Sequence, residues 1–236
     1  MFKIRYSFLF SFICFFAFIT YQPSLAQNIK ISKDTLITIV ENDGAFYNKY
    51  TLKLLPVHTC SATSSLKNKI RDYSEKNMID NNDRTAWVEG DMDSGIGEII
   101  RVTFEDKNAL PYVIRIVPGY LKSEETWYKN NRVAKINIRT IGTNGDSEYT
   151  IDEWKNVSFR KDSLSKVFVS PQYIDISQNY IQHMGYTDFI AIEFEIMEVD
   201  TIGVLYNDTC ISELSFYEID KLIKAYTPEE YQEIKQ

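Results

Sequence analysis

The sequence predicts an all-β domain, a sandwich or a barrel built from eight or so short strands. Apolar and polar residues alternate with a period of two in most segments, turn residues separate these segments, and no long stretch has helical periodicity. Residues 189–199 show the alternation best. Their apolar positions are Ile190, Ile192, Phe194 and Ile196, set against Glu193, Glu195 and Glu198.

The N-terminal part of the domain begins with two predicted strands at residues 35–40 and 46–55. Turn residues at 41–44 separate them and Pro56 ends the second, which predicts a leading hairpin or strand pair. Residues 60–65 are small and polar and predict a loop. Residues 66–76 are ambiguous, with a short helical turn as one interpretation.

Further strands follow from alternation or from apolar runs. They are expected at 99–105, 112–117, 135–141, 148–154, 157–159, 165–169, 189–199 and 211–219. Asn144 and Gly145 give the strongest hairpin signal, because both central residues of such a turn need positive φ. Residues 119–131 predict a polar and aromatic loop. Thr227, Pro228 and Glu230 predict an N-cap and capping box, and therefore a C-terminal helix from about residue 228.

The first 26 residues are typical of a signal peptide. Lys3 and Arg5 precede an apolar stretch at 7–20, and residues 24–26 (Ser-Leu-Ala) place small residues where a signal peptidase reads. We predict cleavage after Ala26. A lipoprotein anchored at Cys14 is disfavoured by Ile13, and an uncleaved membrane anchor is the other alternative. No other stretch approaches transmembrane length.

Charge excludes some classes of partner. Without residues 1–26 the chain has 24 basic and 33 acidic residues, a formal charge of −9. Nucleic acid and anionic membranes both favour a basic face, so neither is expected as the main partner. The balance suits an exported protein that is periplasmic, on the cell surface or extracellular, with no transmembrane span in the mature chain.

Cys60 and Cys210 are the two cysteines that remain after cleavage. An even pair in an oxidising compartment predicts a disulfide. It would close a loop worth about 4–5 kcal/mol in the chain-entropy model. Two buried free thiols are the alternative.

Catalytic motifs are not found in the sequence. His58 and His183 lack zinc-site spacing, and no GxSxG motif occurs. Most carboxylates fall on the outer faces of strands, where solvated charge is the usual explanation. Gly95 and Gly97 are expected to serve backbone geometry, and residues 91–102 lack the glycine and terminal glutamate of an EF-hand. The prediction is a protein without enzymatic activity.

Several short motifs resemble the discoidin domains, also called coagulation factor V/VIII C-type domains. These motifs are Ser64-Ser65, Asp80, TAWVEG at 85–90, GIGE at 95–98 and ISEL at 211–214. The runs at 118–123 and 128–133 are similar to one branch, the glycan-binding and translocation domain associated with secreted bacterial NAD glycohydrolases. The resemblance covers residues 60–220 and implies a galactose-binding-like jelly roll there. The β extension at 27–59 and the helical tail at 221–236 are predicted from their own residues and lie outside it.

The resemblance also implies a structural calcium ion. The corresponding ligands would be Asp80, Asn82 or Asp83, Thr85 and Glu213, a set of hard oxygen donors of the kind that calcium prefers. The alternative is a polar loop held by Asx-turns and Arg84, with Glu213 facing solvent.

A ligand site is expected on end loops of the jelly roll. The predicted site is the 120–132 loop, with aromatic platforms for a sugar ring and polar groups for its hydroxyls. The platforms are Tyr120, Trp127 and Tyr128, the polar groups are Lys122, Asn131 and Arg132, and Glu89 is a further acceptor. Alternatively, Asn131 and Arg132 tie the loop to the sheet while Trp127 covers the edge of the core. Trp87 is expected to close one end of the sandwich.

Two functions therefore follow from the sequence. The first is a non-catalytic carbohydrate-binding module, secreted or at the cell surface. The second is a protein-interaction or adaptor domain of the envelope with the same fold, since the fold does not determine the ligand.

Overall fold

The computed structural model describes residues 35–39, 47–106, 109–144, 147–151, 154–161, 164, 166–167, 169–176 and 188–226. The predicted signal peptide at 1–26 and the predicted helix from residue 228 lie outside these residues. Among the residues described, no helix has the length and apolar character needed to cross a membrane.

Thirteen strands and one short helix make up the described fold. The strands are β1 (Thr35–Ile39), β2 (Tyr47–Leu55), β3 (Val57–Ala62), β4 (Trp87–Val88), β5 (Ile99–Phe104), β6 (Val113–Val117), β7 (Asn131–Asn144), β8 (Ser147–Thr150), β9 (Lys155–Ser158), β10 (Gln172–Asp175), β11 (Asp188–Asp200), β12 (Thr209–Ile211) and β13 (Glu213–Tyr226). The helix α1 is Glu124–Lys129, and a 3-10 turn spans Glu75–Met78.

The strands form two sheets, which confirms the predicted jelly-roll sandwich. One sheet has the order β1-β2-β13-β6-β10 and the other β3-β5-β11-β7-β12-β4, with β8 and β9 paired to β7. All these pairs are antiparallel except β12 with β7. The alternation at 189–199 corresponds to β11, whose Ile192, Phe194 and Ile196 face the core between the sheets.

The predicted leading hairpin is confirmed as β1 paired with β2. Its second strand also pairs with β13 over a long register, from Phe216↔Leu55 to Tyr226↔Tyr47, so β2 is part of the five-stranded sheet. Beyond the core the ribbon of β2 and β13 is exposed, with Leu54, Leu222 and Ile223 open to solvent.

The other differences between the predicted and the observed strands occur where the sequence pattern is weak. Residues 57–62, partly expected as a loop, form β3 at a sheet edge, and 172–175 form β10. The described part of 165–169 contributes an isolated bridge from Val167 to Lys161 in place of the expected strand. β7 and β8 pair with Asn144 opposite Ser147, as the hairpin signal predicts.

The predicted disulfide is wrong, because Cys60 and Cys210 are both free. Cys60 lies on β3 and Cys210 on β12, and β5, β11 and β7 stand between these strands in the sheet order. Burial raises the pKa of the Cys60 thiol to about 12 and that of Cys210 well above its ordinary value. Both are therefore protonated and unreactive at neutral pH.

Candidate functional site

The predicted ligand loop at 120–132 is mainly a structural element. Ser123 caps α1 with its hydroxyl, and Thr126 completes a capping box. Trp127 is fully buried in the main core. Gly119 is required beside it, since a Cβ there would lie 2.8 Å from the Trp127 ring. Trp127 is therefore not a platform for a ligand.

Arg132 is also fully buried and cannot meet a ligand. Its guanidinium pairs with the buried Asp200 at 3.0 Å and donates to the carbonyls of Trp127 and Ile202 at 2.9 Å. Asp200 in turn accepts the backbone N–H of Val167. Every charge is matched, so this network fixes the helix to β7 and β11.

The remaining residues of the predicted ligand set do not lie together at one site. Asn131 is buried and donates to Asn207. Tyr128 is half-buried, with the Lys166 ammonium 4.8 Å from its ring centre. Lys122 is exposed. Of the three predicted platforms, Tyr120 alone lines a cleft.

That cleft, here called the tyrosine cleft, has a volume of about 410 Å³, within the range of small-ligand sites. It lies between the loop at 65–75, the helix α1 and the loop at 201–208. Its apolar floor is Val88, Tyr120 and Leu66, which pack in a small cluster with Tyr73 and Cys210. Its polar and aromatic lining is Asn68, Arg71, Tyr73, Glu125, Thr126, Lys129, Asn130, Tyr206 and Asp208.

The 65–75 loop is held firmly at both ends by one residue of β4. Leu66 N–H donates to the Val88 carbonyl at 2.8 Å, and Val88 N–H donates to the Tyr73 carbonyl at 3.2 Å. Within the loop, the Asn68 side-chain oxygen accepts the N–H groups of Ile70 and Arg71. The loop therefore presents its side chains from a fixed backbone.

The opposite wall of the cleft is fixed to the end of α1. The N–H groups of Leu205 and Tyr206 both donate to the Lys129 carbonyl. Tyr206 is 53% exposed, and Tyr73 meets Tyr120 edge-on with ring centres 6.4 Å apart. Three tyrosine rings thus surround the cleft.

Asp208 is the acceptor on this wall. Burial raises its pKa above the ordinary value, and no side chain among the described residues donates to its carboxylate. An acceptor of this kind, next to aromatic rings, is suited to binding hydroxyl groups.

Glu89 lies behind Asp208 and is itself buried, with 1% of its surface exposed. One carboxylate oxygen accepts the Asp91 N–H at 2.8 Å, while Oε1 has no partner in the described structure. Burial, together with the nearby Asp208 and Asp93 carboxylates, raises its pKa to about 7. Glu89 does not line the cleft, so its predicted role as a direct acceptor is not supported.

The predicted calcium ligands converge, with one exception. Thr85 donates its hydroxyl to Asp80 at 2.8 Å, and Asn82 N–H donates to Asp80 and to Glu213 at 3.0 and 3.1 Å. The Asp83 side chain instead forms a bidentate ion pair with Arg115 at 2.6 and 2.9 Å, so Asp83 could contribute only its backbone oxygen, as the resemblance implies.

Glu213 shows why a cation would suit this place. It is buried, it accepts only neutral donors (the Ser215 hydroxyl and the Asn82 N–H), and burial next to Asp80 raises its pKa to about 7. In the described part of the chain no three His, Cys, Asp or Glu side chains form a metal-binding group. The fit therefore rests on two carboxylates with hydroxyl and carbonyl oxygens, a donor set of the type calcium accepts.

The 65–75 loop was missed by sequence reasoning. Its residues have no clear period, and its only signals were a high density of polar groups and a single Tyr. The loop is positioned by its backbone hydrogen bonds to Val88. Val88 is far enough away in sequence that no local pattern indicates these bonds.

Known proteins provide an independent view of the fold. Residues 49–217 match the model of the NAD glycohydrolase translocation F5/8 type C domain. No curated protein matches the chain.

Several solved structures are similar at low identity. A CBM32-5 module of a Clostridium perfringens GH89 protein, in complex with GalNAc-β-1,3-galactose, has 13% identity and a TM-score of 0.47, with 70% of this chain and 100% of that one covered. The CBM32-1 and CBM32-2 domains of Clostridium perfringens ZmpB have 14% identity and a TM-score of 0.46, with 70% of this chain and 36% of that one covered. An F5/8 type C domain from Bacteroides fragilis has 13% identity and a TM-score of 0.44, with 69% of this chain and 92% of that one covered. The chain thus spans about a third of the ZmpB structure.

Proposed function

The chain belongs to the NAD glycohydrolase translocation F5/8 type C domain family, and from this premise we propose that it is an exported, non-catalytic module that binds a glycan in the tyrosine cleft. The family is a binding and translocation module without catalytic activity of its own. The proposal adds the ligand class and the place where it binds.

The observation that carries the proposal is the set of three tyrosines around a cleft that contains the carboxylate of Asp208. The C–H faces of a sugar ring pack on aromatic rings, and its hydroxyls need acceptors and donors at fixed positions. Tyr206 and Tyr73 supply exposed or half-exposed rings, and Asp208 supplies the acceptor. The anchored loop and the capped helix hold these groups in place, which reduces the entropy cost of binding.

A glycan array followed by calorimetry with the strongest ligand tests this proposal. Tyr206→Ala removes one exposed ring of the cleft and is expected to weaken binding about tenfold or more, with little change in stability. Tyr128→Ala is the matched control, because Tyr128 lies on the same helix wall outside the cleft. If Tyr206→Ala binds as wild type does, or Tyr128→Ala alone loses binding, the site is not the tyrosine cleft.

A second candidate function is an adaptor that binds an envelope protein. The observation in its favour is the exposed ribbon of β2 and β13, with Leu54, Leu222 and Ile223 on its surface. Exposed apolar groups on such a ribbon favour protein contacts. Capture of an envelope protein by wild type, lost in Leu222→Ser and Ile223→Ser but kept in Tyr206→Ala, would favour this function.

We also propose that a calcium ion, when bound, stabilises the loop at 79–85 against β13. Asp80, Asn82, Thr85 and Glu213 would hold it, and it would neutralise the two neighbouring carboxylates. Calcium at about 1,000 times its Kd adds roughly 4 kcal/mol, so melting with calcium or with chelator should give clearly different Tm values. Asp80→Ala should remove that difference. Equal melting of wild type under both conditions would exclude the site.

A further inference from the structure

We infer that the glycan held in the tyrosine cleft is acidic, with a carboxylate or sulfate group that pairs with Arg71. This inference rests on the proposed function, because it names the chemical class of the ligand at the same site.

The first observation is a local excess of positive charge on an acidic protein. The chain has a net charge of −7, yet the 65–75 loop places Lys67, Lys69 and Arg71 within five positions. Among the described residues none of these three side chains forms an ion pair with a carboxylate. The loop also contains Asp72 and Glu75, so its formal charge is +1, and its three cations lie next to a cleft without an ion-pair partner.

The second observation is that only one of these cations belongs to the cleft. Arg71 and Asn68 line it, whereas Lys67 and Lys69 do not. The Asn68 side-chain oxygen accepts the Arg71 N–H at 3.3 Å, and the Arg71 guanidinium donates to the Tyr73 hydroxyl at 3.4 Å. One hydrogen bond from its backbone and one from its guanidinium thus orient Arg71. The other N–H groups of the guanidinium are open to a ligand.

Guanidinium is suited to this task. Its planar fork donates two parallel hydrogen bonds to a carboxylate or a sulfate, and such charge-assisted bonds are about twice as strong as neutral ones. The other cation in the cleft, Lys129, is occupied by an ion pair with Glu125 on the same helix. Arg71 is therefore the available cation of the cleft.

Acidic groups on a different wall of the cleft from Arg71 give the ligand an orientation. Asp208 lines the cleft, and Glu89 and Asp93 lie near it. An acidic group placed there would meet repulsion. The favoured orientation puts the anionic group against Arg71 and the neutral hydroxyls against Asp208, with the sugar ring between Tyr73 and Tyr206.

The affinities of matched neutral and acidic sugars test this inference directly. Wild type is titrated by calorimetry at low and moderate salt with galactobiose, with digalacturonate and with a 6-sulfated galactose disaccharide. The acidic members are expected to bind about tenfold more tightly than the neutral one, with the advantage reduced by salt. The two acidic probes show whether a carboxylate or a sulfate is preferred.

Arg71→Gln tests the residue, and Lys69→Gln is its control with the same change of charge on the same loop. Arg71→Gln should bind the acidic and neutral members equally, while Lys69→Gln should keep the preference. Both side chains are exposed, so both variants are expected to fold as wild type.

Failure of this inference is distinguishable from failure of the proposed function. If wild type binds neutral and acidic sugars equally, and Tyr206→Ala still weakens binding, the acidic preference is wrong and the glycan site stands. If Lys69→Gln loses the preference as fully as Arg71→Gln does, the effect belongs to net charge and the assignment to Arg71 is wrong. If no sugar binds, both proposals fail.

Discussion

The two walls of the tyrosine cleft contain similar residue types but have opposite roles. The helix wall, residues 120–132, is rich in aromatic and cationic groups, but its Trp127 and Arg132 are fully buried, and the Arg132 guanidinium is paired with Asp200. The 65–75 loop has fewer such groups, yet its Arg71 and Tyr73 reach the cleft. An arginine beside an aromatic residue therefore indicates a ligand site only when its hydrogen bonds are not already used inside the fold.

The largest expected difference between the walls is in stability. Arg132→Ala removes one partner of a buried ion pair and leaves Asp200 unpaired, which costs about 3–5 kcal/mol. Arg71→Ala, at an exposed position, should change the free energy of unfolding by less than about 0.5 kcal/mol. Urea denaturation of both variants measures this, and equal effects would remove the distinction between the walls.

A pH series extends the comparison to Glu89, which is buried as Arg132 is but has no ionic partner. Its pKa is raised from 4.5 to about 7, so the folded state binds its proton more tightly than the unfolded state does. Its stabilising contribution is complete below about pH 4.5 and is lost as the pH rises to about 7.

The matching variant is Glu89→Gln. Between pH 5 and pH 8 the wild type should lose on the order of 1–3 kcal/mol of unfolding free energy relative to this variant. Its Tm should fall relative to that of the variant over the same range. Thermal melts of both proteins in parallel isolate Glu89 from the histidines and from Glu213. Parallel curves would show that Glu89 does not titrate in this range.

A smaller effect is expected at Asp208, the acceptor on the side of the cleft away from Arg71. Asp208→Asn keeps the shape but weakens a charge-assisted hydrogen bond to a sugar hydroxyl, so affinity should fall about tenfold, a loss of roughly 1.4 kcal/mol. Stability should be unchanged or slightly higher, because burial disfavours the carboxylate form. Calorimetry and a melt on the same sample give both values, and unchanged affinity would place the ligand elsewhere.

No effect at all is expected from reducing agent. Cys210 lies beneath Tyr120 in the cleft floor, and both it and Cys60 are free. Tm should be the same with and without a reductant, and peptide mapping after alkylation of the native protein should find neither thiol modified. A Cys60–Cys210 peptide found without reductant would contradict the structure.

Strong local alternation of apolar and polar residues made the fold predictable. β11 and β5 follow directly from the alternation of apolar residues, and the hairpin of β1 and β2 follows from the turn residues at 41–44 and from Pro56. The sequence motifs around Asp80, Trp87 and Glu213 also indicated which segments meet, and Asn82 does bridge Asp80 to Glu213. These features depend on local periodicity or on motifs that recur in the family.

The ligand site was only partly predictable for a physical reason. The residues 123–129 form a capped helix too short for a clear period, and its burial of Trp127 depends on Gly119 and on β7. Asp200, the partner of Arg132, is 68 positions away in the chain. No local pattern indicates that such a charge is already paired.

The all-β class, the acidic surface and the segments that carry polar chemistry could be predicted, because they depend on residue type and on spacing along the chain. Which polar groups face a ligand depends instead on the tertiary structure. It buried Arg132 against Asp200, separated Cys60 from Cys210 and closed the 65–75 loop on Val88. Those outcomes depend on pairings between distant strands, where a buried charge must find a partner and an exposed one remains available for binding.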